Sequence, residues 1–104
     1  MAADLATSRV VVVVVSMDGC GACAEYVPRF NRIAARYAHC IPVKILDAGT
    51  PEGAQVADRF HVNATPTTLI LRKPTGQVYY EGALDDAQIE HVFALAIRGL
   101  ACDV

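Results

Sequence analysis

The chain of 104 residues has no aliphatic run longer than the six residues Val10 to Val15. A membrane-spanning helix needs about 20 apolar residues, so no membrane association is expected. Neither sign of charge is in surplus, with nine Lys and Arg against eleven Asp and Glu. Nucleic acids and anionic lipids recruit basic surfaces, so neither is an expected partner. Cysteine is scarce, with four residues at positions 20, 23, 40 and 102, fewer than a disulfide-stapled secreted scaffold carries. The amino terminus carries an acid before any base and has no apolar stretch, unlike a secretory signal. These absences point to a cytoplasmic protein, expected to be a monomer. Residues 1–104 read as one domain, with residues 1–8 and 99–104 as loose termini.

Apolar material is plentiful, and its spacing defines the elements. Val10 to Val15 is β-branched throughout and does not alternate with polar residues, the pattern of a central strand buried on both faces. Asp18-Gly19 marks the turn that follows. Cys23, Val27, Phe30, Ala34 and Tyr37 then recur at helical steps, with Arg29, Arg32 and Arg36 on a solvated face. Pro28 inside this pattern predicts a kink, because it lacks a donor and crowds the preceding turn. Val43 to Leu46 reads as a second strand. Thr50 and Pro51 are an N-cap and first helical position, opening a short helix to about Phe60. Thr67 to Leu71 and Gln77 to Tyr80 form a hairpin around Lys73-Pro74-Thr75-Gly76. Asp85 and Gln88 are a capping-box pair, followed by an apolar stripe of Ile89, Val92, Phe93, Ala96, Ile97 and Leu100. The order β-α-β-α-β-β-α makes the first two strands parallel, with the hairpin on the other side of the first. The expectation is an α/β fold, a four-stranded mixed β-sheet flanked by three helices.

Cys20-Gly21-Ala22-Cys23 falls where the first strand passes into a helix amino terminus. Unpaired N–H groups and the positive end of the helix dipole favour an anion there, so Cys20 is expected to carry an enlarged thiolate fraction. Cys23, one turn on, faces the core within reach of the first sulfur. An exposed attacking thiolate with a buried resolving thiol is what exchange through a mixed disulfide requires. Gly21 and Ala22 are small and leave the approach open.

With these residues in place the chain resembles the thioredoxin superfamily over about residues 9 to 100. The likeness rests on Cys20-Gly21-Ala22-Cys23, on Pro28 five residues past the second cysteine, on Phe60-His61-Val62-Asn63-Ala64-Thr65-Pro66-Thr67 and on Glu81-Gly82-Ala83-Leu84. It implies a thioredoxin-like fold and a cis Pro66 facing the cysteine pair, with Thr65's backbone left to pair with an extended substrate. The pattern also departs from the family. There is no tryptophan, and Gly19 stands where thioredoxin's motif opens with one. Ala22 replaces the motif's proline, a change that makes family members less reducing. Val14 occupies the place of a buried proton-accepting aspartate, which leaves Lys44 without that acid as partner. Asp18 is a turn residue. The short amino-terminal region matches glutaredoxin's minimal core, although Ala64-Thr65-Pro66 replaces its Thr-Val-Pro.

The resemblance implies a thiol–disulfide oxidoreductase with no bound cofactor. Cys20 attacks, Cys23 resolves, and Gly21, Ala22, Thr65 and Pro66 contact the substrate. The substrate is a protein bearing a disulfide or dithiol, and a reductase or glutathione resets the pair. The alternatives are a glutaredoxin-like glutathione-dependent reductase and a redox-silent or metal-binding scaffold. For metal, Cys20, Cys23, His39 and Cys40 offer suitable donor types, but the intervening helix separates them by about 25 Å at 1.5 Å per residue. No metal is therefore expected. Cys40 reads as a small hydrophobe near a helix end and Cys102 as an exposed thiol. His39, His61 and His91 read as surface or packing residues.

Overall fold

The valine run forms the strand β1 (Val10–Ser16), which lies inside the sheet with neighbours on both sides. The structure is a computed structural model describing residues 9–73 and 76–102. After β1 come α1 (Gly21–Ala34), β2 (Val43–Asp47), α2 (Pro51–Arg59), β3 (Thr67–Arg72), β4 (Gln77–Glu81) and α3 (Asp86–Ala96). Among the described residues the sheet has four strands in the order β2-β1-β3-β4. β1 is parallel to β2, with Val12 opposite Val43, and antiparallel to β3, with Val10 opposite Arg72. β3 and β4 form the antiparallel hairpin. This is the thioredoxin-like α/β architecture the sequence predicts.

The valines leave β1 alternately to two cores. Val12 and Val14 pack with Tyr26, Phe30, Ile89 and Phe93 beneath α1 and α3. Val13 and Val15 pack with Leu46, Leu69 and the partly buried Val56 and Phe60 on the α2 side. Burying each such side chain contributes about 1.5–3 kcal/mol, which favours an unbroken β-branched run at this place. On the α1–α3 side, Tyr37 stacks on Phe93 with ring centroids 4.6 Å apart.

The helix starts follow their sequence signals. Thr50 Oγ1 accepts the Gly53 N–H at 3.2 Å, and Asp85 and Gln88 complete a reciprocal capping box at 2.8 Å in each direction. Gly53 is required by close approach. A Cβ there would lie 1.9 Å from the Asp47 carbonyl oxygen, so α2 rests directly on the end of β2.

Other expectations need correction. α1 runs through Pro28 to Ala34, and residues 35–40 follow as turns rather than helix. Its buried face includes Tyr26 and Ile33, which the predicted stripe omits, while Val27 is half-buried. Arg29 and Arg36 do more than face solvent. Arg29 donates to Glu25 at 2.9 Å, to the Leu84 carbonyl at 2.6 Å and to Asp86 at 3.1 Å, and Arg36 pairs with Glu90. Arg29 therefore ties α1, and Arg36 the turn that follows it, to the α3 region. α3 ends at Ala96, before the predicted stripe is complete, and leaves Leu100 36% exposed.

The largest correction concerns the remaining cysteines. Cys40 is not an isolated packed thiol and Cys102 is not an exposed one. They are joined by a disulfide, with Cα atoms 5.6 Å apart and both residues half-buried. α1 and α3 share one face of the sheet, and the chain beyond each helix brings the two cysteines together. Cys102 is thereby fastened, so the carboxyl-terminal segment is not loose at that residue. The expectation of a loose stretch at residues 1–8, and the turn residues 74–75, fall outside the described residues. Among those described, no helix is long and apolar enough to cross a membrane.

Candidate active site at the Cys20–Cys23 disulfide

β1 delivers the chain to a tight turn in which the Cys20 N–H donates to the Met17 carbonyl at 3.1 Å. Gly19 adopts φ +84°, a left-handed conformation that suits glycine, and this turn sets Cys20 at the mouth of α1. Asp18 lies exposed in the same turn, as expected. Cys20 is the N-cap of α1, and its sulfur accepts the Cys23 N–H at 3.1 Å. A capping sulfur that receives a backbone N–H at the positive end of a helix is placed to hold negative charge once the pair is opened.

Cys20 and Cys23 form a disulfide with Cα atoms 5.2 Å apart. Their exposures differ as exchange chemistry needs: Cys20 is half-exposed, whereas Cys23 retains 3% of its surface. Gly21 and Ala22 are exposed on the rim. Across from the pair, the Thr65 carbonyl oxygen lies 3.6 Å from the Cys20 sulfur. A disulfide sulfur carries no proton, so this contact becomes a hydrogen bond only in the dithiol form. The Thr65–Pro66 peptide bond is cis and Pro66 is buried. The segment is held by the Gly82 N–H on the Pro66 carbonyl at 2.8 Å and by Thr67 Oγ1 donating to the Ala64 carbonyl at 2.6 Å.

The structure thus brings Cys20, Cys23 and Thr65 together, with Pro66 adjoining in the chain. It does not bring His39 or Cys40 to them. Those two residues gather with Cys102 instead, with one donor atom from each of the three within 4.8 Å of the others.

Beneath the pair the interior is apolar. Val14 is fully buried and offers no proton acceptor. The buried polar contact in this region is Tyr26 Oη with Thr68 Oγ1 at 2.9 Å, and burial pushes the Tyr26 phenol above its usual range. Lys44 has a different partner from the acid its strand position suggests, pairing with Glu52 at 3.3 Å. Two residues escaped the sequence reading. Met17, 44% exposed, places an apolar side chain on the turn that leads to Cys20. Tyr26 lies one helical turn past Cys23 and could have been found from that spacing. A groove of about 600 Å³ lies over Val11, Val13 and Leu71 beside α2, and neither Cys20 nor Cys23 lines it.

The thioredoxin family model matches residues 2–94. Bovine (Bos taurus) protein disulfide-isomerase A4 is 40% identical over 73 residues, a match that takes in 67% of this chain and 11% of that protein. The chain therefore spans about a tenth of that relative's length. Among solved structures, the germline-specific thioredoxin Deadhead of Drosophila melanogaster superposes with a TM-score of 0.73 at 23% identity, covering 86% of this chain and 83% of that one. Fasciola hepatica thioredoxin gives 0.72 at 19% identity, covering 85% and 81%. At these identities the structural likenesses establish the fold. Together with the family match and the disulfide at the head of α1, they lead to one assignment: the chain belongs to the thioredoxin family.

Proposed function

We propose that this protein is a thiol–disulfide oxidoreductase acting on protein disulfides, with Cys20 as nucleophile and Cys23 as resolving thiol. The observation that carries the reading is the asymmetric pair itself: a half-exposed cysteine at a helix N-cap, bonded to a buried one in the next turn.

In the reducing direction, the Cys20 thiolate attacks one sulfur of the substrate disulfide. A mixed disulfide forms and a substrate thiolate leaves. Cys23, once deprotonated, attacks the Cys20 sulfur, releases the second substrate thiol and closes the internal disulfide. The substrate gains two electrons and two protons, and the cysteine pair loses them. A reductase or glutathione then restores the dithiol, and no bound cofactor takes part. The Cys23 N–H and the helix dipole stabilise charge on Cys20 as attacker and leaving group. Thr65, through its backbone, aligns an extended substrate beside the pair, while Pro66, Gly21 and Ala22 shape the approach. Met17 adds apolar contact at the rim.

With Val14 in the buried position, the Cys23 proton leaves by water or substrate rather than through an internal carboxylate. A redox titration in glutathione buffers, read by alkylation and peptide mass mapping, tests the proposal. Cys20 and Cys23 are expected to switch together as one intramolecular pair, and the midpoint gives the direction of electron flow. A pair that never closes in any buffer would refute the assignment.

A further inference from the structure

His39, Cys40 and Cys102 form a second chemically distinct cluster, beyond the opposite end of α1 from Cys20. α1 contributes 14 residues to the separation, about 20 Å at 1.5 Å per residue, so the clusters cannot exchange disulfides within one molecule. One imidazole nitrogen and two sulfurs lie within 4.8 Å of one another, on segments from opposite halves of the chain. In the structure the sulfurs are bonded to each other. We propose that, when this disulfide is reduced, Cys40, Cys102 and His39 bind a single zinc-class divalent cation.

The donor set and spacing carry the argument. Zinc takes thiolate and imidazole ligands at about 2.3 Å and 2.0–2.1 Å, which for a tetrahedral ion places two ligand sulfurs about 3.8 Å apart. Cys40 and Cys102 both lie beyond the ends of α1 and α3, so the sulfurs can take up that spacing through the segments that follow the helices. His39 is exposed and both cysteines are half-buried, so reductant and ion can reach the site while the sulfurs are partly shielded. Three protein ligands leave a fourth position for water. The chemistry balances in two steps. A thiol reductant gives two electrons and two protons to the disulfide and is itself oxidised to a disulfide. The ion then displaces both thiol protons and bridges the two sulfurs. The carboxyl-terminal segment is fastened to the α1 end in either state, by a covalent bond under oxidising conditions and by a metal under reducing ones.

The test uses the full chain carrying C20S and C23S, so that Cys40 and Cys102 are the remaining thiols. After reduction with a phosphine and its removal without air, the protein is titrated with Co²⁺ as probe. The expected result is one equivalent bound, with sulfur-to-cobalt charge-transfer absorption and the visible bands of a tetrahedral ion. Adding H39A is expected to weaken binding roughly tenfold or more, and adding C40S with C102S to abolish the charge-transfer bands. Far-ultraviolet circular dichroism follows the fold throughout. Absence of the bands, or binding unchanged by H39A, overturns the proposal. Loss of helical signal on reduction that Co²⁺ does not restore overturns it as well.

Discussion

Removing the Cys40–Cys102 bond by the double substitution C40S/C102S isolates the effect of a long covalent loop. The bonded residues are 62 apart in sequence, whereas Cys20 and Cys23 are 3 apart. In the chain-entropy model the longer loop is worth about 4 kcal/mol at 25 °C and the shorter about 2 kcal/mol. For a domain of this size 1 kcal/mol moves the melting temperature by about 4–8 °C, so the double variant is expected to melt roughly 15 °C or more below the parent. Its denaturant m-value is also expected to rise, because the unfolded chain is no longer held in a loop and exposes more surface. Circular dichroism melts and urea titrations of both proteins, under non-reducing conditions, measure the two effects. C20S/C23S is the matched control and is expected to lose about half as much stability. A C40S/C102S variant melting within 3 °C of the parent (less than about 1 kcal/mol) with an unchanged m-value would refute the clamp.

Further outcomes follow from the same geometry. Cys20→Ser is expected to abolish exchange, while Cys23→Ser accumulates mixed disulfides detectable by non-reducing electrophoresis; unchanged activity in both would contradict the assigned roles. Gly53→Ala sets a methyl against the Asp47 carbonyl and is expected to cost about 1–3 kcal/mol or more, read from a urea midpoint. Tyr26→Phe leaves Thr68 Oγ1 without its phenol partner and is expected to cost about 1–3 kcal/mol near neutral pH. The Tyr26 phenol titrates higher in the folded protein than unfolded, so its contribution is complete below about pH 10 and falls as pH rises beyond that. Alkaline melts of the parent are therefore expected to decline more steeply than those of Tyr26→Phe, and parallel curves would contradict the burial argument.

The parts of the molecule legible in the sequence were those set by local rules. The six valines, the Thr50 and Asp85 caps and the hairpin each depend on residues within a few positions of one another, and all appear where their signals stand. The core of the site was legible because Cys20 and Cys23 share one helical turn. What the sequence concealed depended on contacts between distant elements. Arg29 looks like a solvated residue until α3 brings Asp86 and the Leu84 carbonyl beside it. Tyr26 breaks the expected apolar stripe because a buried hydroxyl from β3 is ready to receive its phenol. Cys40 and Cys102 carry no spacing signal at all, since their meeting depends on how two helices pack on a sheet.

The position of β1 inside the sheet also governs the order in which this chain can fold during synthesis. Its pairing with β3 joins residues from Val15 with Thr67 to Val10 with Arg72, separations of 52 to 62 residues. At about 5–20 residues per second, the valine strand leaves the ribosome several seconds before its antiparallel neighbour exists. Through that interval one edge of a strand made of six consecutive valines has no partner from this chain, the kind of surface that pairs with strands of other molecules. Nascent chains stalled near residue 60 are therefore expected to engage a holding chaperone or to self-associate, and chains stalled far enough on for β3 to emerge are expected to do neither. The strand that anchors both cores of the finished molecule is the one most exposed to misassembly while the molecule is being made.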